Sequence, residues 1–172
     1  MPSTVAATVT KILYAILDSF DIIVVALTLL SFIKLKADIS LGSSININNS
    51  PVIRGESLMA YIGLRATPPP PPPSSTAPPL NISSLSDPSV PKLLFDFRPF
   101  ITRTAITSDG LQYDIVAIFI RNNKIVEKAL LRKNTGVYMP NESFDLLLEV
   151  YNVEGLYEAI TIGDDARVII HF

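Results

Sequence analysis

Residues 111–132 read LQYDIVAIFIRNNKIVEKALLR, and this stretch decides the fold class. Leu111–Arg121 is the most apolar run in the second half of the chain and is rich in β-branched and aromatic residues. Asn122-Asn123 ends it, and an apolar pattern returns over Lys124–Arg132. An apolar run of strand length bounded by turn residues reads as a buried β-strand followed by its neighbour. Lys124–Arg132 leaves a helical alternative open, because its Glu, Lys, Ala and Leu are good helix formers.

Working outward, the same grammar recurs. Leu93, Phe95 and Phe97 alternate, Phe100–Thr107 follows Pro99, and Asp109-Gly110 is a hairpin turn. Lys133-Asn134-Thr135-Gly136 is the next turn. Ser143–Tyr151, Leu156–Ile162 and Arg167–Phe172 read as strands separated by Val153-Glu154-Gly155 and Gly163-Asp164-Asp165. Upstream, Ile39, Leu41, Ile45 and Ile47 alternate with polar residues as one half-buried strand, with Gly42 a bulge inside it. Asn48-Asn49-Ser50-Pro51 reads as a turn, and Val52–Ala66 as a second strand region. Short strands with turn signals every ~8–12 residues point to an antiparallel β-sandwich, Ig-like or jelly-roll-like, spanning 37–172.

Residues 67–91 interrupt that pattern. Pro68 to Pro73 are six consecutive prolines, followed by Ser- and Pro-rich sequence. Proline has no N–H for a β-ladder, so the segment reads as an exposed loop or linker inside the head. The sharper alternative is a ligand for a polyproline-binding groove.

The amino-terminal 1–36 stretch has a different period. Val5 to Leu35 is almost wholly apolar, and Ile12–Ile33 is long enough, at ~1.5 Å per residue, to cross a ~30 Å hydrocarbon core. Asp18 and Asp21 interrupt it. Such carboxylates are costly against lipid, so they should face other helices. At ~100° per residue, Thr10, Lys11, Tyr14 and Thr28 join them on one stripe, the expected subunit interface. Lys34 and Lys36 follow the run without a small-residue cleavage site, as in an uncleaved anchor. Asn48, Asn81 and Asn141 each begin an Asn-x-Ser sequon, which fits a head facing out of the cytoplasm if they carry glycans.

The chain of 172 residues has no Cys and no Trp, one His, and a net charge of −2. Lack of Cys excludes disulfides, thiol catalysis and Cys-ligated zinc. The charge balance disfavours nucleic acid. His171 reads as the polar face of a terminal strand. Asp164-Asp165, with Asp109 or Glu154, could be imagined as Ca²⁺ ligands, but no D-x-D-x-D-G spacing occurs and a plain turn is the better reading. No phosphate, dinucleotide or nucleophile motif is present. The expectation is a protein that is not an enzyme, with no cofactor, no metal and no small-molecule substrate.

A hydrophobic amino-terminal helix followed by a cysteine-free β head resembles, over the whole chain in outline, the archaeal type IV pilins and archaellins. The resemblance implies a structural, cell-surface filament subunit that self-assembles through its transmembrane helix into a homopolymer, anchored in the membrane before assembly and exposed outside the cell. Alternatives are a single-span accessory subunit of a membrane complex, or a virion envelope or capsid protein.

Overall fold

Asn122 and Asn123 both adopt the left-handed conformation, with φ of 52° and 60°. Two successive positive-φ residues make the tight turn whose twist matches paired strands. It joins β5 (Ile115–Arg121) to β6 (Lys124–Leu131) in antiparallel register, Arg121 opposite Lys124. The helical alternative for 124–132 is therefore excluded. This hairpin belongs to a computed structural model that describes residues 35–54 and 80–171. The chain divides into two units, Met1–Lys34 and Leu35–Phe172, and everything below concerns the second. The helix expected over 1–36 lies outside the described residues as far as Lys34, and its expected end is corrected, since Lys36 opens a strand; the proline rod and most of the Val52–Ala66 strand region also lie outside the described residues.

The other strands are β1 (Lys36–Leu41), β2 (Ile45–Arg54), β3 (Lys92–Asp96), β4 (Ile106–Thr107), β7 (Val137–Tyr138), β8 (Leu146–Tyr151) and β9 (Ala166–His171). Seven of the nine form one sheet in the order β6-β5-β8-β3-β2-β1-β9, and β4 pairs with β7 in a separate two-stranded layer. The sheet curls into a half-barrel until its two ends touch. Lys124 and Asp165 form an isolated bridge there, and Ala166 N–H donates to Asn123 O at 2.8 Å.

This corrects the expected two-sheet antiparallel sandwich. The cause lies in β2. Gly42 (φ 56°) sits in a turn, so Ile39–Ile47 is a hairpin of two strands rather than one bulged strand. Asn48–Pro51 is no turn either. Asn49 (φ 55°) is an extra residue inside β2, where the β1–β2 register shifts, and its N–H bonds to Asp38 Oδ1 at 2.9 Å. Such a bulge flips side-chain parity. Ile45 and Ile47 before it and Val52 after it therefore face the same core. Beyond the bulge, β2 stays paired with β1 as far as Pro51, opposite Lys36, and its end then pairs in parallel with β3, Val52 opposite Leu94. One bent strand thus carries the sheet round on itself.

The concave face holds the larger core, built from Ile39, Ile47, Leu94, Ile118, Leu148 and their neighbours, and closed by Leu85, Val153, Leu156 and Ile160. The convex face holds a second core around Phe95, Phe97, Phe119, Phe144 and Leu147, covered by Ile106 and Tyr138 of the β4–β7 layer. Phe119 and Phe144 meet edge-on with centroids 5.0 Å apart. A strand buried on both faces needs a continuous apolar run, which is what Ile115–Ile120 supplies.

Two further expectations change. Leu156–Ile162 is not a strand: Leu156–Ala159 is a single helical turn, α1, entered through Gly155 (φ 78°). Ile106 and Thr107 do not make a hairpin with β5 across Asp109-Gly110; they pair with Tyr138 and Val137. Among the described residues, the longest helical pieces are α1 and the five-residue 3-10 segment Ile82–Ser86. A long helix forms no part of this fold as described.

Candidate binding surface

Glu127 lies in β6 opposite Phe119, so its side chain enters the convex core. A carboxylate there is costly unless it is fully hydrogen-bonded. Tyr138 Oη donates to Oε1 at 2.5 Å, the Asn141 N–H to the same oxygen at 3.2 Å, and the Glu142 N–H to Oε2 at 2.8 Å. Burial pulls the Glu127 pKa upward, but these donors outweigh it, and the carboxyl sits below its ordinary value. The tyrosine responds in the opposite sense. Burial first, then the neighbouring carboxylate, pushes Tyr138 up to about 12.

The consequence is a pinned loop. Residues 138–142 are held at three points by one buried acceptor; Pro140 between them is buried, whereas Met139 is 56% exposed and Val137, just ahead of Tyr138, is 70% exposed. The facing segment is held in parallel fashion. Thr102 and Phe144 exchange backbone hydrogen bonds, and Arg103 Nε donates to Pro140 O at 2.8 Å. That segment turns out Phe100 (62% exposed) and Ile101 (55%). Four large apolar side chains thus project from two segments tied to each other: Val137 from β7, Met139 just after it, and Phe100 and Ile101 from the loop ahead of the Thr102–Phe144 bridge.

Beside them, Asp96 at the end of β3 is buried and bracketed by two arginines. Arg98 grips it in a fork, Nε to Oδ1 at 2.8 Å and Nη2 to Oδ2 at 3.1 Å, and Arg54 Nε reaches Oδ2 at 3.1 Å. Burial raises the Asp96 pKa, and the Arg98 bonds and the two charges reverse that to a net lowering. A buried cation, Lys92, gives its ammonium to the carbonyls of Leu85 (2.5 Å) and Asp87 (3.0 Å) at the end of the 3-10 segment. Desolvation lowers its pKa. Its task is to cap that segment over the concave core.

A shallow polar cleft lies between Gln112, Tyr113, Asp114, Lys133, Tyr151 and Asn152. Its carboxylate is committed to the fold, since Asp114 Oδ1 accepts from the Lys133 N–H at 3.0 Å.

The residues singled out from sequence fare as follows. Thr10, Lys11, Tyr14, Asp18, Asp21 and Thr28 all lie outside the described residues. Asn48 is exposed on β2, Asn81 is exposed and caps the 3-10 segment through Oδ1, and the Asn141 Nδ2 leans toward Glu127 at 3.4 Å. Ser50, the third residue of the first sequon, is fully buried. His171 ends β9 opposite Lys36. Asp165 forms an ion pair with Lys124 at 2.6 Å. No group of three His, Asp or Glu placed to hold a metal occurs among the described residues.

Sequence reasoning missed Glu127, Tyr138 and the four projecting apolar residues. The one available signal was an acid inside the apolar run Ile125–Leu131.

No protein-family model matches the chain, and no curated protein matches it. Among solved structures, it is similar to a candidate transcription regulator from Sinorhizobium meliloti, with a TM-score of 0.53 and 13% identity, covering 78% of this chain and 93% of that one. It is also similar to a protein of unknown function from Novosphingobium aromaticivorans, with a TM-score of 0.51 and 13% identity, covering 77% and 83%. At that identity the likeness concerns fold alone.

These findings correct the pilin-like reading. Neither neighbour is described as a filament subunit, and no helix among the described residues is long and apolar enough to cross a membrane. The expectations of an archaeal pilin or archaellin relative, a structural filament subunit, a homopolymer built through an apolar helix, and a membrane-anchored or cell-surface location therefore do not stand. The Leu35–Phe172 unit resembles solved β domains of another kind.

Proposed function

We propose that the Leu35–Phe172 unit works by binding a protein partner rather than by catalysis, and that the working surface is made by the segments 100–103 and 137–142, beside the β4–β7 pair. The observation that carries this is the set of Phe100, Ile101, Val137 and Met139, each more than half exposed on backbone fastened from beneath. Scattered single apolar residues on a surface are ordinary, but four from two segments fastened to each other suit an interaction site. Aromatic and Met side chains are also enriched at the centres of protein interfaces. Holding the loop through Glu127 reduces the entropy lost on docking. The net charge of −2 gives a phosphate backbone little electrostatic footing.

Photo-crosslinking in the native cell tests this. A photoreactive amino acid at position 100 or 139 of the full-length chain should give one adduct of common mass. The same group at exposed Glu158 on α1 should give none. Adducts at all three positions alike, or at none, would overturn the assignment.

A further inference from the structure

Among the described residues, β9 is the end strand of the seven-stranded sheet. Its ladder with β1 runs without a register break from Leu41 opposite Ala166 to Lys36 opposite His171. Two printed bonds fix which backbone groups face which way. Asp165 O accepts from Gly42 on the β1 side, whereas the Ala166 N–H points the other way, to Asn123 O. Backbone polar groups alternate along a strand, so Arg167, Ile169 and His171 bond to β1. Val168 and Ile170 therefore present both N–H and C=O to the open side.

Natural edge strands are blunted by Pro, bulges, inward charges or a covering segment. β9 has no Pro, no bulge and no inward charge over Ala166–His171; its single outward cation is Arg167. Val168 and Ile170 pack on the concave core yet stay only partly buried, and Ile169 is 49% exposed on the other face. The opposite edge differs. There the Ile125 backbone is already bonded to Asp164 O and Gly163 N–H, and Lys128 Nζ is tied to the carbonyls of Tyr157 and Ile160.

We propose that β9 is a docking edge that accepts an extended segment of a partner protein as an eighth, antiparallel strand. The chemistry of the edge defines the occupant. Four backbone groups at Val168 and Ile170 call for an extended main chain. The half-covered core beside them calls for apolar side chains at the two positions opposite. On the outer face, Lys36 and Asp38 of β1 stand two residues apart and offset each other, which leaves Arg167 as the cation of the edge itself, calling for a carboxylate opposite it. This site is separate from the surface beside the β4–β7 pair and does not depend on it.

The probe is a fluorescein-labelled peptide, acetyl-Ser-Glu-Val-Thr-Val-Glu-Ser-amide, titrated against the full-length chain by anisotropy. Hydrogen–deuterium exchange is read on the same samples. The peptide should bind, and the Val168 and Ile170 amides should become protected. N-methylation of its two valines removes the amides that face β9 and should weaken binding roughly tenfold or more. N-methylation of the threonine, whose amide points away, should leave binding unchanged. Val168→Pro removes an outward N–H that the β1 ladder does not use, and should weaken binding equally. Arg167→Glu should reverse the preference from this peptide to one with Lys in place of Glu. If Val168→Pro fails to fold, the two methylated peptides on the native chain decide the matter. Indifference to the methylation site, protection on β6 instead, or no binding at millimolar peptide would overturn the proposal. So would a self-associated chain whose contact is β9 itself.

Discussion

Glu127 and Tyr138 set each other's chemistry across a 2.5 Å hydrogen bond, and their opposite shifts fix how stability depends on pH. Tyr138 has a folded pKa above its unfolded value of about 10, so its stabilising contribution is complete below pH ~10. It is lost as pH rises toward about 12. Glu127 is depressed, so its contribution is complete above the ordinary carboxylate range and is lost as pH falls through the lowered value. Denaturant titrations across pH should show both flanks. In Tyr138→Phe the alkaline loss should shrink, and at neutral pH about 1.5–3 kcal/mol should disappear, the usual worth of a bond to a charged group. Glu127→Ala should cost about 2–3 kcal/mol, because it orphans several donors. It should also release Met139, seen as faster amide exchange at 139–142. Unchanged exchange in that variant would show that the loop is held by something else.

At the level of elements, short-range turn chemistry was the most legible part of the sequence. Asn122-Asn123 announced its turn because a two-residue connection with both φ positive leaves few residue choices. Asn123→Ala, which forces a Cβ-bearing, non-amide residue into that conformation, should cost about 1 kcal/mol by chemical denaturation without moving the β5–β6 register. Other elements could not be read locally. Leu156-Tyr157-Glu158-Ala159 alternates well enough for a strand, and only Leu156 of the four is buried. It is a helical turn because Lys128 Nζ donates to the carbonyl oxygens of Tyr157 and Ile160 and stands 4.3 Å from the Tyr157 ring. That partner lies far off in sequence. Likewise Asn49 looked like a turn residue, and only Asp38, waiting to accept its N–H, makes it a bulge.

Across the whole molecule, the lesson of the buried strands concerns faces. Ile118 and Phe119 are neighbours in the chain yet serve two different cores. Phe119→Ala empties the convex core beneath the β4–β7 layer and should cost about 3–5 kcal/mol in urea unfolding. A cost below about 1 kcal/mol would mean that the β4–β7 layer collapses to fill the space. The double burial was present in the sequence, since Ile115–Ile120 carries no polar position. What the alternation could not convey was that both faces belong to a single curled sheet rather than to a sandwich. That depends on one parallel pairing, β2 with β3, between strands separated by the proline-rich insertion. The binding surface was less legible still, because exposure of Phe100 or Val137 is decided by distant backbone ties and not by local pattern.

The joining of β1 to β9 brings a matter of timing. On the ribosome, Lys36–Leu41 is made long before Ala166–His171, the strand that completes it. Until synthesis has passed His171, the nascent domain carries a raw β1 margin able to recruit neighbouring nascent chains. A helper that shields that margin, or a pace of translation that shortens the wait, would govern the yield of native protein as much as any contact in the finished fold.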